Sequence, residues 1–198
     1  MELWTLEKEL TAGAGIYCGV DEAGRGPLAG PVCAAAVILP QDCPLPGLND
    51  SKKLSEKKRE ALYALIVEKA ISYGIAFASP EEIDEVNILN ATYLAMNRAI
   101  EKLSAPVSLA LIDGNRAEGI HVSHLTVVGG DGKCASIAAA SILAKVTRDR
   151  WMLELDKEYP QYAFAQHKGY GTRLHYERLR EYGPSPVHRR SFLRNLHP

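Results

Sequence analysis

Residues 16–39 read IYCGVDEAGRGPLAGPVCAAAVIL, and the division of this stretch decides the fold. Residues 16–21 form an apolar run of strand character, and residues 31–39 form a second, nearly all apolar and small. Short apolar runs bounded by turn signals suit strands that are buried on both faces. Between them, residues 24–30 hold three glycines and Pro27, the marks of a tight connection with unusual backbone shape. The first run ends on Asp21 and Glu22, two acids badly placed for a core. At a strand's end the chain turns, so both are expected to reach one edge of the sheet.

Outward from this hairpin, a proline-rich loop over 40–47 leads to Ser55, an N-cap for a helix to about residue 70. Ala61, Leu62, Leu65 and Ile66 lie on one face of that helix. A strand follows over 71–78. Ser79-Pro80-Glu81-Glu82 has the capping-box pattern, which predicts a short helix followed by a longer one over 89–103. Strands are expected at 107–113 and 124–128, the first stopped by Gly114-Asn115 and the second by Gly129-Gly130. An alanine-rich helix runs from Cys134 until Pro160 blocks it, and a last helix covers 172–182 before Gly183 and Pro184. Strands first and alternation afterwards predict an α/β fold with a mixed central sheet flanked by helices. The expected organisation is a catalytic domain over 1–158 and a C-terminal helical segment over 159–198, packed on it as one compact unit.

The 198 residues are enough for one well-buried core, and 46% hydrophobic and 24% charged residues are ordinary globular values. No run approaches the ~20 apolar residues of a membrane span. The acidic N-terminus has no apolar run of the secretory kind, so a cytoplasmic, reducing setting is expected. The four cysteines show no C-x-x-C pair and read as reduced packing residues. A net charge of −1 gives no global sign of nucleic-acid binding, but binding needs only a local patch. Basic residues cluster at Lys52-Lys53, Lys57-Lys58-Arg59, Arg148 with Arg150, and His188-Arg189-Arg190 with Arg194. Nothing demands more than a monomer.

Asp21-Glu22, Asp113 and Asp131 each follow an apolar, strand-like run, and strand ends are where α/β sheets build sites. Converging carboxylates repel one another, so such a cluster serves to hold a hard cation. All-oxygen donors favour Mg²⁺ or Mn²⁺ over zinc. A pair of these ions about 4 Å apart suits phosphodiester hydrolysis. The residues alone also allow each acid simply to end a strand in solvent. Gly24-Arg25-Gly26, just after the first acids, lets the backbone approach a ligand while an arginine forks onto phosphate. The spacing is not that of a dinucleotide fingerprint, and Cys134 after Gly132-Lys133 rules out a P-loop. His121, His124 and Cys134 lack a second pair for a zinc site. Ser136, Ser141, Asp149 and His167 lack a nucleophile elbow. The two serines are expected to let the alanine-rich helix pack closely.

Taken in order, these segments resemble ribonuclease HII, the type 2 ribonuclease H of bacteria. The matching stretches are GVDEAGRGP at 19–27, LNDSKKL at 48–54, Leu111-Ile112-Asp113-Gly114, Gly130-Asp131, AAASILAKVTRD at 138–149, His167-Lys168-Gly169-Tyr170 and HRRSF at 188–192. The resemblance spans roughly residues 16–195. It implies a ribonuclease H-like fold. It also places the four family carboxylates on Asp21, Glu22, Asp113 and Asp131, with two Mg²⁺ or Mn²⁺ ions as cofactors. Implied substrates are RNA–DNA hybrids and duplex DNA containing embedded ribonucleotides, cut to leave a 3′-hydroxyl and a 5′-phosphate. Backbone groups of Gly24, Arg25 and Gly26 would read the ribose 2′-hydroxyl, and Tyr170 would stand beside the RNA-to-DNA junction. Lys52, Lys53, Lys145 and Arg148 would meet phosphates or support the site. One departure is Gly129, where the family commonly has lysine before Gly130-Asp131; the acid stays and a local positive charge goes.

Two other readings compete with the nuclease. A non-catalytic nucleic-acid-binding module on the same fold would have at least one of the four acids replaced by a neutral residue, and none is. A resolvase- or transposase-like nuclease would lack the ribose discrimination that Gly24-Arg25-Gly26 and Tyr170 imply.

Overall fold

The structure is a computed structural model that describes residues 2–194. Five strands, β1 (Tyr17–Ala23), β2 (Val32–Ile38), β3 (Ser72–Ala78), β4 (Leu109–Asp113) and β5 (His124–Val127), form one mixed sheet in the order β3-β2-β1-β4-β5. β1–β2 and β2–β3 pair antiparallel, while β1–β4 and β4–β5 pair parallel. Every residue of β2 is buried. Val32, Ala34, Ala36 and Ile38 enter the core on one face, and Cys33, Ala35 and Val37 enter the core on the other. This is the period-two alternation of a strand covered on both sides.

One face is covered by α3 (Pro80–Glu101) and the other by α2 (Glu56–Lys69) and α4 (Ala135–Glu158). Ser55 caps α2, and Ser79 with Glu82 closes the expected capping box on α3. The helix is broken at Asn87 (φ 69°), whose side-chain oxygen accepts from the Leu89 and Asn90 N–H groups. The expected short helix and longer helix are the two arms of this kink.

α4 decides the architecture of the site. An added Cβ on Gly19 of β1 would lie 2.2 Å from the Ser136 carbonyl carbon and 2.3 Å from the Ile137 nitrogen. Alanines 138–140 are fully buried beside it. The small residues therefore bring helix and strand together. Ser141, Lys145 and Arg148 then recur at helical spacing along one side of α4.

Helix α1 (Glu2–Leu10) was not anticipated. Leu6 and Leu10 pack against Leu111, Val127 and Ile137, so the helix is amphipathic but short. Its Glu7 is fully buried, and its carboxylate accepts from the Ser136 N–H at 2.9 Å. Cys134 at the N-cap of α4 makes no side-chain cap bond, so Glu7 serves one of the helix's orphan donors from 129 residues away.

After α4, short turns and α5 (Phe164–His167) precede α6 (Arg173–Tyr182). Tyr162, Phe164 and Leu179 from this region pack with Leu28, Ala29, Met152 and Leu155. All four cysteines are buried and free, and burial pushes the Cys18 and Cys134 thiols up to about 12. Among the described residues, no helix is long and apolar enough to cross a membrane. Gly19→Ala is expected to lower stability by about 1–3 kcal/mol, the usual cost of overpacking. A urea midpoint that does not move would show that α4 can yield.

Candidate active site

The parallel pairing of β1 with β4 ends at Val20↔Ile112, whereas its antiparallel pairing with β2 runs on to Ala23↔Cys33. Asp21 and Glu22 are thus inside a strand and not at its end, which corrects the sequence expectation. Strand alternation keeps them on opposite faces. Asp21 shares the α4 face with Gly19, and Glu22 shares the α3 face with Val20. Asp113 ends β4 on the α4 face, and Asp131 sits in the 3₁₀ turn Gly130–Gly132 that leads into α4.

Asp21, Asp113 and Asp131 offer carboxylate oxygens that all lie within 4.8 Å of one another. The Gly130 N–H donates to Asp113 Oδ1 at 2.7 Å and ties β4 to the turn that carries Asp131. Glu22 stands outside this trio but lines a cleft of ≈ 230 Å³ with Asp21 and Asp113, while Asp131 lies outside that lining. Burial, with the charges of Glu22 and Asp113, holds the Asp21 carboxyl well above the usual carboxylate range. Burial and Asp113 raise Asp131 as well. Glu22 is raised by burial, with Arg25 pulling against it from 3.5 Å. Three hard-oxygen donors under mutual repulsion fit a divalent cation, which would relieve that repulsion.

Gly24, Arg25 and Gly26 line the cleft beside the acids. Gly24 is at φ +94°, and a Cβ there would meet Arg148 Nε at 1.9 Å. Two buried arginines lie behind this loop. Arg189 donates to the carbonyls of Gly24 (2.6 Å), Arg25 (2.8 Å) and Gly30 (2.9 Å). Arg148 donates to those of Ala29, Pro31 and Lys168. Carbonyl and N–H point opposite ways across a trans peptide. Drawing the carbonyls of Gly24 and Arg25 inward therefore turns the N–H groups of Arg25 and Gly26 away from the arginines.

Arg148 is only 1% exposed, so of phosphate contact and support of the site only support fits its placement. Lys145 lines the cleft and pairs with Asp149 at 2.7 Å. The Lys52 side chain is 76% exposed and its ammonium reaches Asp131 at 3.4 Å. Partial burial works against that charge, but Asp131 and Asp21 outweigh it and raise the Lys52 pKa. Lys53 stands outside the cleft lining and faces Asp50 at 3.8 Å. Tyr170 is 43% exposed at the lip, with its ring 3.8 Å from where a Gly26 Cβ would be.

The set-aside constellations stay apart. Ser141 bonds Ser51 at 2.8 Å, Asp149 pairs with Lys145, and His167 bonds the Tyr162 carbonyl. Cys134 is in the core, and the acid trio is the one potential metal group among the described residues. Arg189 was missed as a site residue. In sequence it sits in a basic run, which reads as a solvated face.

A profile of the Ribonuclease HII family matches residues 18–195. The Ribonuclease HII of Endomicrobium trichonymphae is 59% identical over 175 residues, 88% of this chain and 83% of its own. That of Dechloromonas aromatica is 58% identical over 184 residues, covering 93% and 94%. The chain belongs to the ribonuclease HII family. Its fold agrees. The crystal structure of ribonuclease H2 from Pyrococcus horikoshii matches with a TM-score of 0.73 at 27% identity, over 89% of this chain and 93% of that one. As a ribonuclease HII the chain is a nuclease, an endonucleolytic hydrolase of the ribonuclease H type.

Within this ribonuclease HII, Gly129 adopts a left-handed conformation (φ 65°, ψ 38°) that glycine takes without strain. The Lys52 ammonium is the cation that faces Asp131, at 3.4 Å.

Asp21 has a folded-state pKa above its unfolded value. Its ionised form therefore weighs against the fold once pH rises through that raised value, and the strain is absent at low pH. In chelator at about pH 8, Asp21→Asn is expected to melt a few degrees above the parent, the response of a domain this size to about 1 kcal/mol. The gap should shrink as pH falls toward about 4. Added Mn²⁺ should raise the parent's melting point and leave the variant's nearly unmoved. Identical melting of the two proteins across pH would remove the case for a strained acid cluster.

Proposed function

We propose that this ribonuclease HII hydrolyses the RNA strand of RNA–DNA hybrids and cuts on the 5′ side of ribonucleotides embedded in duplex DNA. The products are a 3′-hydroxyl and a 5′-phosphate, and the setting is cytoplasmic removal of misincorporated ribonucleotides and RNA primers, by a monomer. The observation that carries this reading is one cleft lined by Asp21, Glu22 and Asp113 and, beside them, by a glycine loop with its N–H side turned away from the core. The first suits hydrolysis of a phosphodiester, and the second suits recognition of a 2′-hydroxyl.

Asp21, Glu22, Asp113 and Asp131 are the residues that would hold two Mg²⁺ or Mn²⁺ ions. When bound, such ions polarise the phosphate and lower the pKa of water. The protein supplies the rest. Asp113 is pinned by the Gly130 N–H, and Asp21 by the Glu22 N–H at 2.7 Å, so the two carboxylates are oriented before substrate arrives. Glu22 reaches the cleft from the other sheet face and steadies Arg25. The N–H groups of Arg25 and Gly26 meet the ribose, and Tyr170 stacks at the junction beyond it. Lys52, Lys53 and Lys145 draw in the phosphates, and Arg148 keeps the loop in shape from behind. The catalytic unit covers residues 1–158, and residues 159–198 bring Tyr170 to it; the last four of these lie outside the described residues.

The test uses duplex DNA with a single ribonucleotide, all-DNA duplex, and a long hybrid, each with Mn²⁺ or Mg²⁺ and with EDTA. Cutting 5′ of the ribonucleotide is expected from the parent only, with Asp113→Asn slower by about 10³-fold or more. Cutting of the hybrid alone would remove the junction role of Tyr170. Cutting of neither would favour a non-catalytic binding module, and cutting of all-DNA duplex would favour a resolvase-like nuclease.

A further inference from the structure

Two consecutive residues far from the acids in sequence connect to both sides of the cleft mouth, Arg189 directly and His188 through His175. Arg189 is fully buried, spends its guanidinium on the carbonyls of Gly24, Arg25 and Gly30, and sits beside a second buried guanidinium, that of Arg148. Burying a charge without a counter-ion is costly, and an apolar side chain of similar volume would fill the space more cheaply. What the guanidinium adds is direction, since its fixed fork dictates where three carbonyls point.

His188 holds the other side. The Tyr170 carbonyl can only accept, so His175 Nδ1 donates to it at 2.9 Å. A neutral His175 then accepts at Nε2, so His188 Nε2 donates across 3.0 Å. His188 Nδ1 is left as an acceptor, and the Ser185 N–H (3.0 Å) and hydroxyl (2.8 Å) donate to it. Each ring has one consistent tautomer, and the chain of bonds runs from Ser185 to the Tyr170 main chain. Burial lowers His188 to about 3 and His175 to about 4, which keeps both rings neutral as the chain requires. A bridge between Ala29 and His188, with the Arg189 N–H on the Leu28 carbonyl at 2.9 Å, fixes the pair to the loop's far end.

We propose that His188 and Arg189 form a two-sided positioning clamp, in which Arg189 orients residues 24–26 and His188, through His175, places Tyr170. The pair sets the gap between the groups that read the ribonucleotide and touches no substrate itself. This rests on the reading that Gly24-Arg25-Gly26 and Tyr170 contact the ribonucleotide.

The clamp is tested by kinetics on the single-ribonucleotide duplex with a double-variant cycle. His188→Asn keeps an acceptor for Ser185 and removes the donor to His175. It is expected to lower kcat about tenfold and change KM less than about threefold, because a displaced contact costs rate more than binding. In a Tyr170→Ala background the same substitution should change kcat less than about twofold, since its effect passes through Tyr170. Arg189→Lys keeps the charge and loses the fork. It should also lower kcat about tenfold, but by the same factor in both backgrounds, because it acts through the loop. This second arm stands by itself should His188→Asn not fold. A variant that melts earlier yet cuts at the parental kcat would make its residue merely structural and overturn the clamp, as would equal losses for His188→Asn with and without Tyr170. A parent that leaves the single-ribonucleotide duplex intact would instead refute the reading on which the clamp rests.

Discussion

Helix α4 lies on β1 at a separation that only a glycine at position 19 and a run of alanines allow, and the cleft is built on that contact. The approach brings Ser141 against Asp21, sets Lys145 at the cleft wall and drives Arg148 behind the glycine loop. It also fixes the start of α4, and with it the turn that carries Asp131. Glu7 secures that start from a distant helix. Small side chains thus act here as determinants of geometry, because van der Waals radii leave no other way to seat the helix.

Charge is distributed against stability on both sides of the loop. In front of it, three carboxylates crowd within 4.8 Å, and burial with the neighbouring acid charges raises Asp21 and Asp131. Behind it, two guanidiniums are buried on main-chain carbonyls, and desolvation lowers Arg189 to about 9. Neither arrangement is the one a folded chain would adopt for stability alone. A cation among the acids would relieve the first. The arginines hold a loop whose glycines, one at φ +94°, have little conformational preference of their own. Flexible backbone at the cleft wall is thereby held by two guanidiniums that lie behind it.

Much of the fold was legible because it is written locally. Period-two and helical patterns, the Ser55 cap and the Ser79–Glu82 box are short-range signals, and each marks the element expected from it. Asp113 and Asp131 were legible as acids after apolar runs. Asp21 and Glu22 were selected for a reason that was half right. The pairing with β4 does stop before them, but β2 continues the strand and separates the two side chains by face. Helix α1 went unseen because its apolar side is only two or three leucines and a tryptophan, too few for a periodic signal.

By itself the sequence determined the α/β class, the order of the elements after the first helix, and the family, since each depends on residue types at short spacing or on motifs read in order. The tertiary structure decided which acids form the close trio, which basic residues face water and which are buried, and what holds the glycine loop. Arg148 and Lys145 look alike in the sequence, yet one lies behind the loop and the other in the cleft. Arg189 finds its carbonyls 159 to 165 residues away. A guanidinium's role follows from the oxygens that surround it, and those oxygens are brought together only when the sheet and α4 have closed on each other.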